Sequence, residues 1–227
     1  MSIVNVLIPV HLPDAWRELA VSRYQRFAAP GTHVLGTMFS QEQQDVCERS
    51  GGLAETLLRN ARRLEDEHGV EAHIIDCFGD PGLSLLAGKC SVPVVGVGQV
   101  GLIFGHAAFG RFSVITSESD VVGKIRESAM RYGVSTRLDD VRAIEMHVTE
   151  IYDHRDAALS ALVEQATMLD RENEGIVLGC TELAQLAPKL RAKLADLGWN
   201  VRVIHPVAVA IRAVEAELVA RRAEHEA

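Results

Sequence analysis

The chain has 227 residues, of which 48% are hydrophobic and 24% are charged, a balance typical of a globular protein with a sizeable core. Its formal net charge of −8, without a basic cluster, argues against nucleic acid or an anionic membrane as a partner. No apolar run approaches the roughly 18 residues of a membrane-spanning helix, and no signal peptide is visible, so we expect a cytoplasmic protein. The four cysteines lack CxxC spacing, so we expect free thiols, no zinc ribbon and no other metal site.

Short apolar runs alternate with amphipathic segments in the first half of the chain. This pattern predicts strands over 3–10, 32–39, 73–77 and 92–97. It predicts helices over 15–27, 53–68 and 83–87, and the polar stretch 41–49 is either a short helix or a loop.

The second half repeats the alternation. Strands are predicted over 111–116, 141–146, 176–178 and 201–204. Helices are predicted over 102–109, 121–132, 156–172, 183–197 and 207–223, with Pro188 breaking or kinking the fourth of them. Strands that alternate with helices in this way predict an α/β protein with mostly parallel sheets.

Residues 96–101 read Gly-Val-Gly-Gln-Val-Gly, which resembles the GxGxxG string of dinucleotide-binding proteins. That interpretation requires the string to open a βαβ unit, and here it follows the fourth predicted strand. We therefore interpret the glycines as positions where a helix packs closely on a sheet. We also place a boundary here, between a first lobe of residues 1–98 and 206–227 and a second lobe of residues 99–205.

Two cysteines occupy the same place in the two halves of the chain. Cys77 and Cys180 each follow an apolar strand and precede turn residues and a helix, and they lie 103 residues apart, close to half of the chain. A thiol near the start of a helix meets backbone N–H groups that favour its thiolate form. The spacing indicates a pseudo-duplicated protein with one reactive thiol in each half. Cys47 and Cys90 lack this setting, and we assign them to the core.

The two cysteine segments, 77–83 (Cys-Phe-Gly-Asp-Pro-Gly-Leu) and 179–183 (Gly-Cys-Thr-Glu-Leu), resemble those of the aspartate/glutamate/hydantoin racemase superfamily, and the hydantoin and allantoin racemase branch is nearest. Residues 93–97 and 112–117 also resemble segments of that family, in the expected order. The resemblance implies two similar α/β lobes, an active site in the cleft between them, no cofactor, and one catalytic cysteine from each lobe. It also implies a small-molecule substrate and a homo-oligomer.

The same resemblance implies which other residues contact the substrate, with Thr116, Ser117 and Thr181 holding its carbonyl or carboxylate oxygens. Asp80 is either a substrate ligand or the cap of the helix that follows. The candidate substrate-binding residues are Val10, His11, Phe78, Gly79, Asp80, Thr116, Ser117, Thr181 and His205.

Three positions depart from the family pattern. Residues 8–11 (Ile-Pro-Val-His) stand where hydantoin racemases usually have Asn-Pro-Asn, Gln99 stands in place of an acidic residue, and His205 stands in place of an aspartate. Each of the two histidines is either a replacement group at the site or a surface residue. These departures leave the two-thiol chemistry in place and weaken the assignment of the substrate.

A pair of thiols suits racemisation next to a carbonyl group. One group must remove a proton from one face of the carbon while another returns a proton to the opposite face, and a thiolate and a thiol can do both near neutral pH. The first hypothesis is therefore a cofactor-independent racemase or epimerase that acts on a hydantoin-like compound. The alternatives are a cysteine-dependent cis-trans isomerase or decarboxylase of a small dicarboxylate, and a non-catalytic binder of small anions.

Overall fold

The computed structural model describes residues 2–226, with side chains up to residue 224. The strands are β1 Ser2–Ile8, β2 Thr32–Met38, β3 Ala72–Ile75, β4 Val94–Gly96, β5 Phe112–Thr116, β6 Leu138–Ala143, β7 Gly175–Leu178 and β8 Arg202–Ile204. The helices are α1 Asp14–Phe27, α2 Gln41–Ser50, α3 Leu53–His68, α4 Leu83–Lys89, α5 Val97–Ala108, α6 Val122–Arg131, α7 Val148–Asp153, α8 Arg155–Thr167, α9 Ala187–Asp196 and α10 Pro206–Glu226. Short 3-10 turns occupy Ser119–Val121, Ser135–Arg137 and Leu183–Leu186.

The chain divides into two compact units, each with its own sheet. The first unit comprises Met1–Val97 and Val207–Ala227, and the second comprises Gly98–Pro206. The strands run in the order β2-β1-β3-β4 in the first unit and β6-β5-β7-β8 in the second. Every pairing is parallel, so the two sheets share one topology and the predicted α/β class with parallel sheets is confirmed.

The central strands are covered on both faces. All residues of β3, β5 and β7 are buried, which explains why their sequences read as continuous apolar runs instead of alternating ones. In the first unit, α3 contributes a buried stripe with Leu57, Ala61 and Leu64 at helical spacing. Each buried leucine of this kind contributes about 1.5–3 kcal/mol relative to an exposed one.

Glycines allow two aromatic rings to lie against the second sheet. A Cβ atom on Gly175, in β7, would come within 2.3 Å of the Phe109 ring, which is 3% exposed. A Cβ atom on Gly105, in α5, would come within 2.9 Å of the Phe112 ring. Both contacts lie inside the second unit, and the interpretation of the glycines in residues 96–101 as helix-packing positions stays a prediction.

The structure differs from the sequence prediction at helix boundaries. Helix α5 begins at Val97, directly after β4, whereas we predicted its start at residue 102, so Gly98 and Gly101 lie inside the helix. The break that we predicted near Pro188 is observed, since a 3-10 turn over Leu183–Leu186 precedes α9, which begins at Ala187. This proline lies in the first turn of α9, where a missing N–H group costs nothing.

Two further differences lie in the second unit. Strand β6 spans Leu138–Ala143, whereas we predicted residues 141–146. It includes polar residues, which an edge strand tolerates because only one of its faces needs to be apolar. Helix α7 was not predicted. It has six residues, packs through the buried Ile151, and is capped by the His147 side chain, which accepts a bond from the Thr149 N–H. Among the described residues, no helix is both long enough and apolar enough to cross a membrane.

Replacement of Gly175 should destabilise the protein strongly. We expect Gly175→Ala to lower the free energy of unfolding by about 2–3 kcal/mol, because the new methyl group overlaps the buried Phe109 ring. Urea denaturation followed by circular dichroism measures the change. Gly123→Ala is the control: it lies in α6 with nothing within 4 Å of its added Cβ, so it should stabilise by about 0.5–1 kcal/mol. Equal urea midpoints for Gly175→Ala and the wild type would contradict the packing argument.

Candidate functional site

Cys77 lies just beyond the carboxyl end of β3. The preceding residue, Asp76, extends the strand by one more bond, since its N–H donates to the Leu7 carbonyl at 2.8 Å. Cys77 then begins a tight turn, in which the Asp80 N–H donates to the Cys77 carbonyl at 3.0 Å. The turn runs into α4, which begins at Leu83 as predicted. The thiol is half-buried and lies at the carboxyl edge of the first sheet.

Cys180 has the equivalent position in the second unit. The N–H of Gly179 donates to the Ile115 carbonyl at 2.7 Å, as Asp76 does to Leu7 in the first unit. The Cys180 carbonyl accepts a bond from the Ala184 N–H at 3.2 Å, which is the bond of a first helical turn. A 3-10 turn, Leu183–Leu186, follows at the point where we expected an α-helix to begin. This thiol is also half-buried.

The residues directly after each thiol present unpartnered backbone donors. The N–H groups of Phe78 and Gly79 in the first unit, and of Thr181 in the second, have no acceptor within the part of the chain that the structure describes. Phe78 and Thr181 are equivalent, since each follows its cysteine directly. Backbone N–H groups in such a turn can stabilise negative charge on a bound oxygen atom. The side chain of Phe78 is buried, whereas Gly79 is exposed and its missing Cβ would lie 3.8 Å from the Cys77 sulfur.

Asp80 has an unusual conformation. Its φ angle is +46°, a region that L-residues rarely adopt, and it is 8% exposed. Asp80 does not occupy the cap position of α4 that we offered as an alternative, because that position is Gly82. The carboxylate packs instead against the end of β4, where a Cβ atom on Gly96 would lie 2.1 Å from the Asp80 Oδ1 atom. Gly96 is therefore required for the observed position of Asp80.

Tyr24 belongs to the same region, and sequence reasoning missed it. It is 1% exposed on α1, and its hydroxyl donates to the Asp76 Oδ1 atom at 2.8 Å. Burial and the Asp76 carboxylate together raise the pKa of Tyr24 well above its usual value, so the hydroxyl keeps its proton and remains a donor. The only sequence signal was a polar residue, Asp76, at the end of an apolar strand, and nothing in the sequence paired it with α1.

The segment after β1 is fastened to the end of β2. The Val10 carbonyl accepts a bond from the Phe39 N–H at 3.3 Å, and the His11 Nδ1 atom lies 3.0 Å from the Phe39 carbonyl oxygen. The His11 N–H donates to the Gln44 side chain at 3.2 Å. His11 is exposed at the carboxyl edge of the first sheet, the same edge as Cys77.

Thr116 supports the Cys180 segment from the neighbouring strand. It is fully buried, and its hydroxyl donates to the Gly179 carbonyl at 2.9 Å. A Cβ atom on Gly179 would lie 3.0 Å from the Thr116 Cβ atom, so glycine is needed for this close approach. The hydroxyl proton of Thr116 is therefore committed to the protein. Its predicted contact with the substrate stays a prediction.

The remaining candidates of the second unit lie at the same edge of its sheet. Ser117 follows β5 and is half-buried, as is Thr181, which follows Cys180. His205 follows β8, and its Nε2 atom lies 3.5 Å from the Nε2 atom of Gln185, which belongs to the turn after Cys180. The structure therefore brings Thr116, Ser117, Cys180, Thr181 and His205 to one edge, and Val10, His11 and residues 77–80 to the corresponding edge of the first unit.

Comparison with known proteins agrees with this geometry. A sequence model of the family described as Asp/Glu/Hydantoin racemase matches residues 34–214. The chain belongs to this family. It is 30% identical over 161 residues to a hydantoin racemase of Paenarthrobacter aurescens, a match that covers 70% of this chain. The matched region spans 66% of that relative, just under two thirds of its length.

Solved structures of the family share the fold. An allantoin racemase from Klebsiella pneumoniae superposes with a TM-score of 0.81 at 26% identity, covering 96% of this chain and 88% of the other. An allantoin racemase from Pseudomonas fluorescens gives 0.81 at 25% identity, covering 95% and 90%. The family and the branch that the two cysteine segments indicated are thereby confirmed.

The other two cysteines of this family member have polar neighbours. Cys47 is half-buried, and its sulfur lies 3.6 Å from the Thr56 hydroxyl oxygen. Cys90 is also half-buried and donates to the Glu65 carboxylate, so its assignment as an apolar core residue is wrong. Burial and the Glu65 carboxylate raise the pKa of the Cys90 thiol to about 12, which leaves it protonated and unreactive near neutral pH.

The thiol of Cys90 should make stability depend on alkaline pH. A free thiol titrates near 8.5, so the stability that the folded protein gains from the bound proton is complete below that pH and is lost as the pH rises through 12. We expect the free energy of unfolding of the wild type to fall more steeply above pH 9 than that of Cys90→Ser, by up to about 1 kcal/mol per pH unit for this partly exposed group.

Urea titrations between pH 8 and 11, under reducing conditions, measure this difference. Cys47→Ser is the matched control, because it removes a half-buried thiol that does not contact Glu65. Parallel pH curves for the wild type and Cys90→Ser would refute the assignment.

Proposed function

We propose that this chain is a cofactor-independent racemase in which Cys77 and Cys180 form the acid-base pair. The observation that carries the proposal is the equivalence of the two thiols. Each follows the equivalent strand of its own parallel sheet, one residue beyond a matching backbone hydrogen bond. Membership in the Asp/Glu/hydantoin racemase family supports the same reaction type.

The chemistry needs two groups that each carry one proton. A thiolate removes the proton from the carbon next to the carbonyl group, and the neutral thiol of the other cysteine donates a proton to the opposite face. The thiolate and thiol have then exchanged states, so the enzyme is ready for the reverse reaction. The proposal requires both sulfur atoms to reach the same carbon atom. Such general acid-base catalysis contributes roughly 10²–10⁴-fold in rate.

The enolate-like intermediate needs stabilisation of its oxygen atom. The N–H groups of Phe78, Gly79 and Thr181, which have no acceptor among the described residues, supply donors directly beside the two thiols. Donors held by the backbone need no reorganisation during the reaction, which is why such arrangements are worth several kcal/mol in other enzymes. Ser117 and Thr181 add hydroxyl groups at the edge of the second sheet.

A neutral ring substrate fits the first unit better than a dicarboxylate. Asp80 is a buried carboxylate three residues after Cys77, and Asp76 directly precedes the thiol. An anionic substrate would meet like charge there, whereas the ring N–H groups of a hydantoin can donate to a carboxylate. Relatives described as hydantoin and allantoin racemases support this class. We therefore propose a hydantoin-like substrate, with Val10, His11 and His205 as additional contacts.

Two broader expectations stay predictions from the sequence. These are a cytoplasmic location and an assembly of several identical subunits.

Replacement of either catalytic cysteine should abolish racemisation. We expect Cys77→Ser and Cys180→Ser each to lower the rate of loss of optical rotation by at least about 100-fold, because a hydroxyl is a far weaker base than a thiolate. The assay uses a panel of 5-substituted hydantoins and allantoin in D₂O. Polarimetry measures racemisation, and NMR measures the uptake of deuterium at the α-carbon.

Cys47→Ser is the control and should retain wild-type rates. Racemisation at wild-type rates by both single variants would sink the two-thiol mechanism. Binding of hydantoins by the wild type without any deuterium uptake would identify a non-catalytic binder.

The contact between Gly96 and Asp80 should be needed for activity. We expect Gly96→Ala to lower kcat/KM by about 100-fold, because its methyl group must displace the Asp80 carboxylate and with it the turn that carries Cys77. Gly88→Ala is the matched control, since its added Cβ has nothing within 4 Å in the nearby helix α4. Melting temperatures of both variants separate loss of activity from unfolding. Full activity in a folded Gly96→Ala variant would rule out a role for the Asp80 position.

A further inference from the structure

Three side chains of types that bind metal ions meet in the first unit, away from Cys77. Glu65 comes from α3, His73 from β3, and Cys90 from the segment between α4 and β4. One ligand atom of each lies within 4.8 Å of the others. Cys90 precedes the amino end of β4, and His73 lies before the middle of β3, whereas Cys77 lies beyond its carboxyl end. The cluster is therefore distinct from the candidate active site.

The distances and chemistry suit a small divalent ion. Zinc is held about 2.0–2.1 Å from nitrogen and oxygen and about 2.3 Å from sulfur, so its tetrahedral ligands lie roughly 3.3–3.7 Å apart. The His73 Nε2 and Glu65 Oε1 atoms are 3.2 Å apart. The widest separation in the cluster needs to close by only about 1 Å. When the ion binds, the Cys90 thiol releases its proton to solvent, and the resulting thiolate and the Glu65 carboxylate neutralise both charges of the ion, which a buried site requires.

The surroundings of His73 can support a bound ion. Its ring is fully buried, and the Nδ1 atom lies 3.3 Å from the Asn5 Nδ2 atom. The Thr37 hydroxyl donates to the Oδ1 atom of the same Asn5 amide at 2.9 Å. A histidine that binds metal through Nε2 carries its proton on Nδ1 and needs an acceptor there. Rotation of the Asn5 amide by 180° supplies that acceptor, and the Thr37 hydroxyl can accept from the amide nitrogen as readily as it donates.

The cluster has a route to solvent. Cys90 and Ser91 line a surface pocket of about 310 Å³, whose opposite wall is formed by α10. The cationic residue on that wall, Arg221, is paired with Glu217 at 2.9 Å. A hydrated ion can therefore reach the Cys90 sulfur through this pocket without unfolding of the sheet.

We propose that Glu65, His73 and Cys90 form a site for one zinc-class divalent cation, with water in the fourth position. Three protein ligands and one open position is a known arrangement for zinc, and the set of sulfur, nitrogen and oxygen donors selects zinc or cobalt over magnesium or calcium. The ion joins α3, β3 and the residue that follows α4. It thereby ties together both ends of the segment from His73 to Cys90, which carries Cys77.

Cobalt binding to a variant without the candidate catalytic thiols tests the site. In full-length Cys77→Ser/Cys180→Ser protein, stripped of metal with a chelator, we expect one Co²⁺ per chain and a near-ultraviolet thiolate-to-cobalt absorption band. Excess Zn²⁺ should displace the cobalt and raise the melting temperature by about 5 °C or more. Absence of the band in this double variant would overturn the proposal, because all three proposed ligands are still present in it.

Further substitutions in the same background identify the ligands. Cys90→Ser should abolish the band, and His73→Gln should weaken Co²⁺ binding by at least 100-fold. Cys47→Ser and Ser91→Ala should retain it, since the first thiol lies outside the cluster and the Ser91 hydroxyl bonds to Glu65 without being a ligand. A band that persists in Cys90→Ser refutes the site. Native mass spectrometry of the wild-type protein, in which all three ligands are intact, gives the number of zinc ions per chain. A value of zero refutes the site, whether or not any variant folds.

Discussion

One backbone hydrogen bond in each unit fixes where the candidate catalytic thiol lies. The N–H of Asp76 donates to Leu7, and the N–H of Gly179 donates to Ile115, each across the central pair of parallel strands. Because the bond closes the last ladder position, the next residue leaves the sheet at a defined point, and in both units that residue is cysteine. A parallel sheet places all its carboxyl ends at one edge, so the other candidate residues gather there too.

Around this shared frame, the two units bury different polar groups. In the first, a line of side chains crosses the sheet from Thr37 through Asn5 and His73 to Glu65. Burial lowers the pKa of His73, although the Glu65 carboxylate opposes this, so the imidazole is held in its neutral form. Burial alone would raise the pKa of Glu65, but the hydrogen bonds that Ser91 donates to the carboxylate have the opposite effect. The pKa is lowered as a result, and the carboxylate stays charged. A neutral imidazole and a charged carboxylate are the forms that a metal ion requires.

Much of the fold could be predicted from the sequence because the signals were local. Apolar runs marked the buried strands, and the repeat of a strand followed by cysteine identified both thiols without any knowledge of the tertiary structure. What could not be predicted depends on contacts between distant segments. The Asp80 carboxylate packs against Gly96, 16 positions further along the chain, and the bond from Tyr24 to Asp76 joins residues 52 positions apart. The cluster around Cys90 draws on three separate elements, so no spacing rule of the CxxC kind could reveal it.

The unequal surroundings of the two thiols place a constraint on how the proposed enzyme can work. Mirror-image substrates have equal free energies in solution, so the equilibrium constant of racemisation is one and kcat/KM must be the same in both directions. Asp76 precedes Cys77 and is held by a buried tyrosine, whereas Gly179 precedes Cys180 and its carbonyl is held by Thr116. Such asymmetry can make kcat differ between the two directions only if KM differs by the same factor. This happens when the enzyme stabilises one bound enantiomer more than the other. The pseudo-duplicated frame therefore leaves each unit free to diverge in its substrate contacts, provided that both keep a thiol one residue beyond the last bond of the sheet.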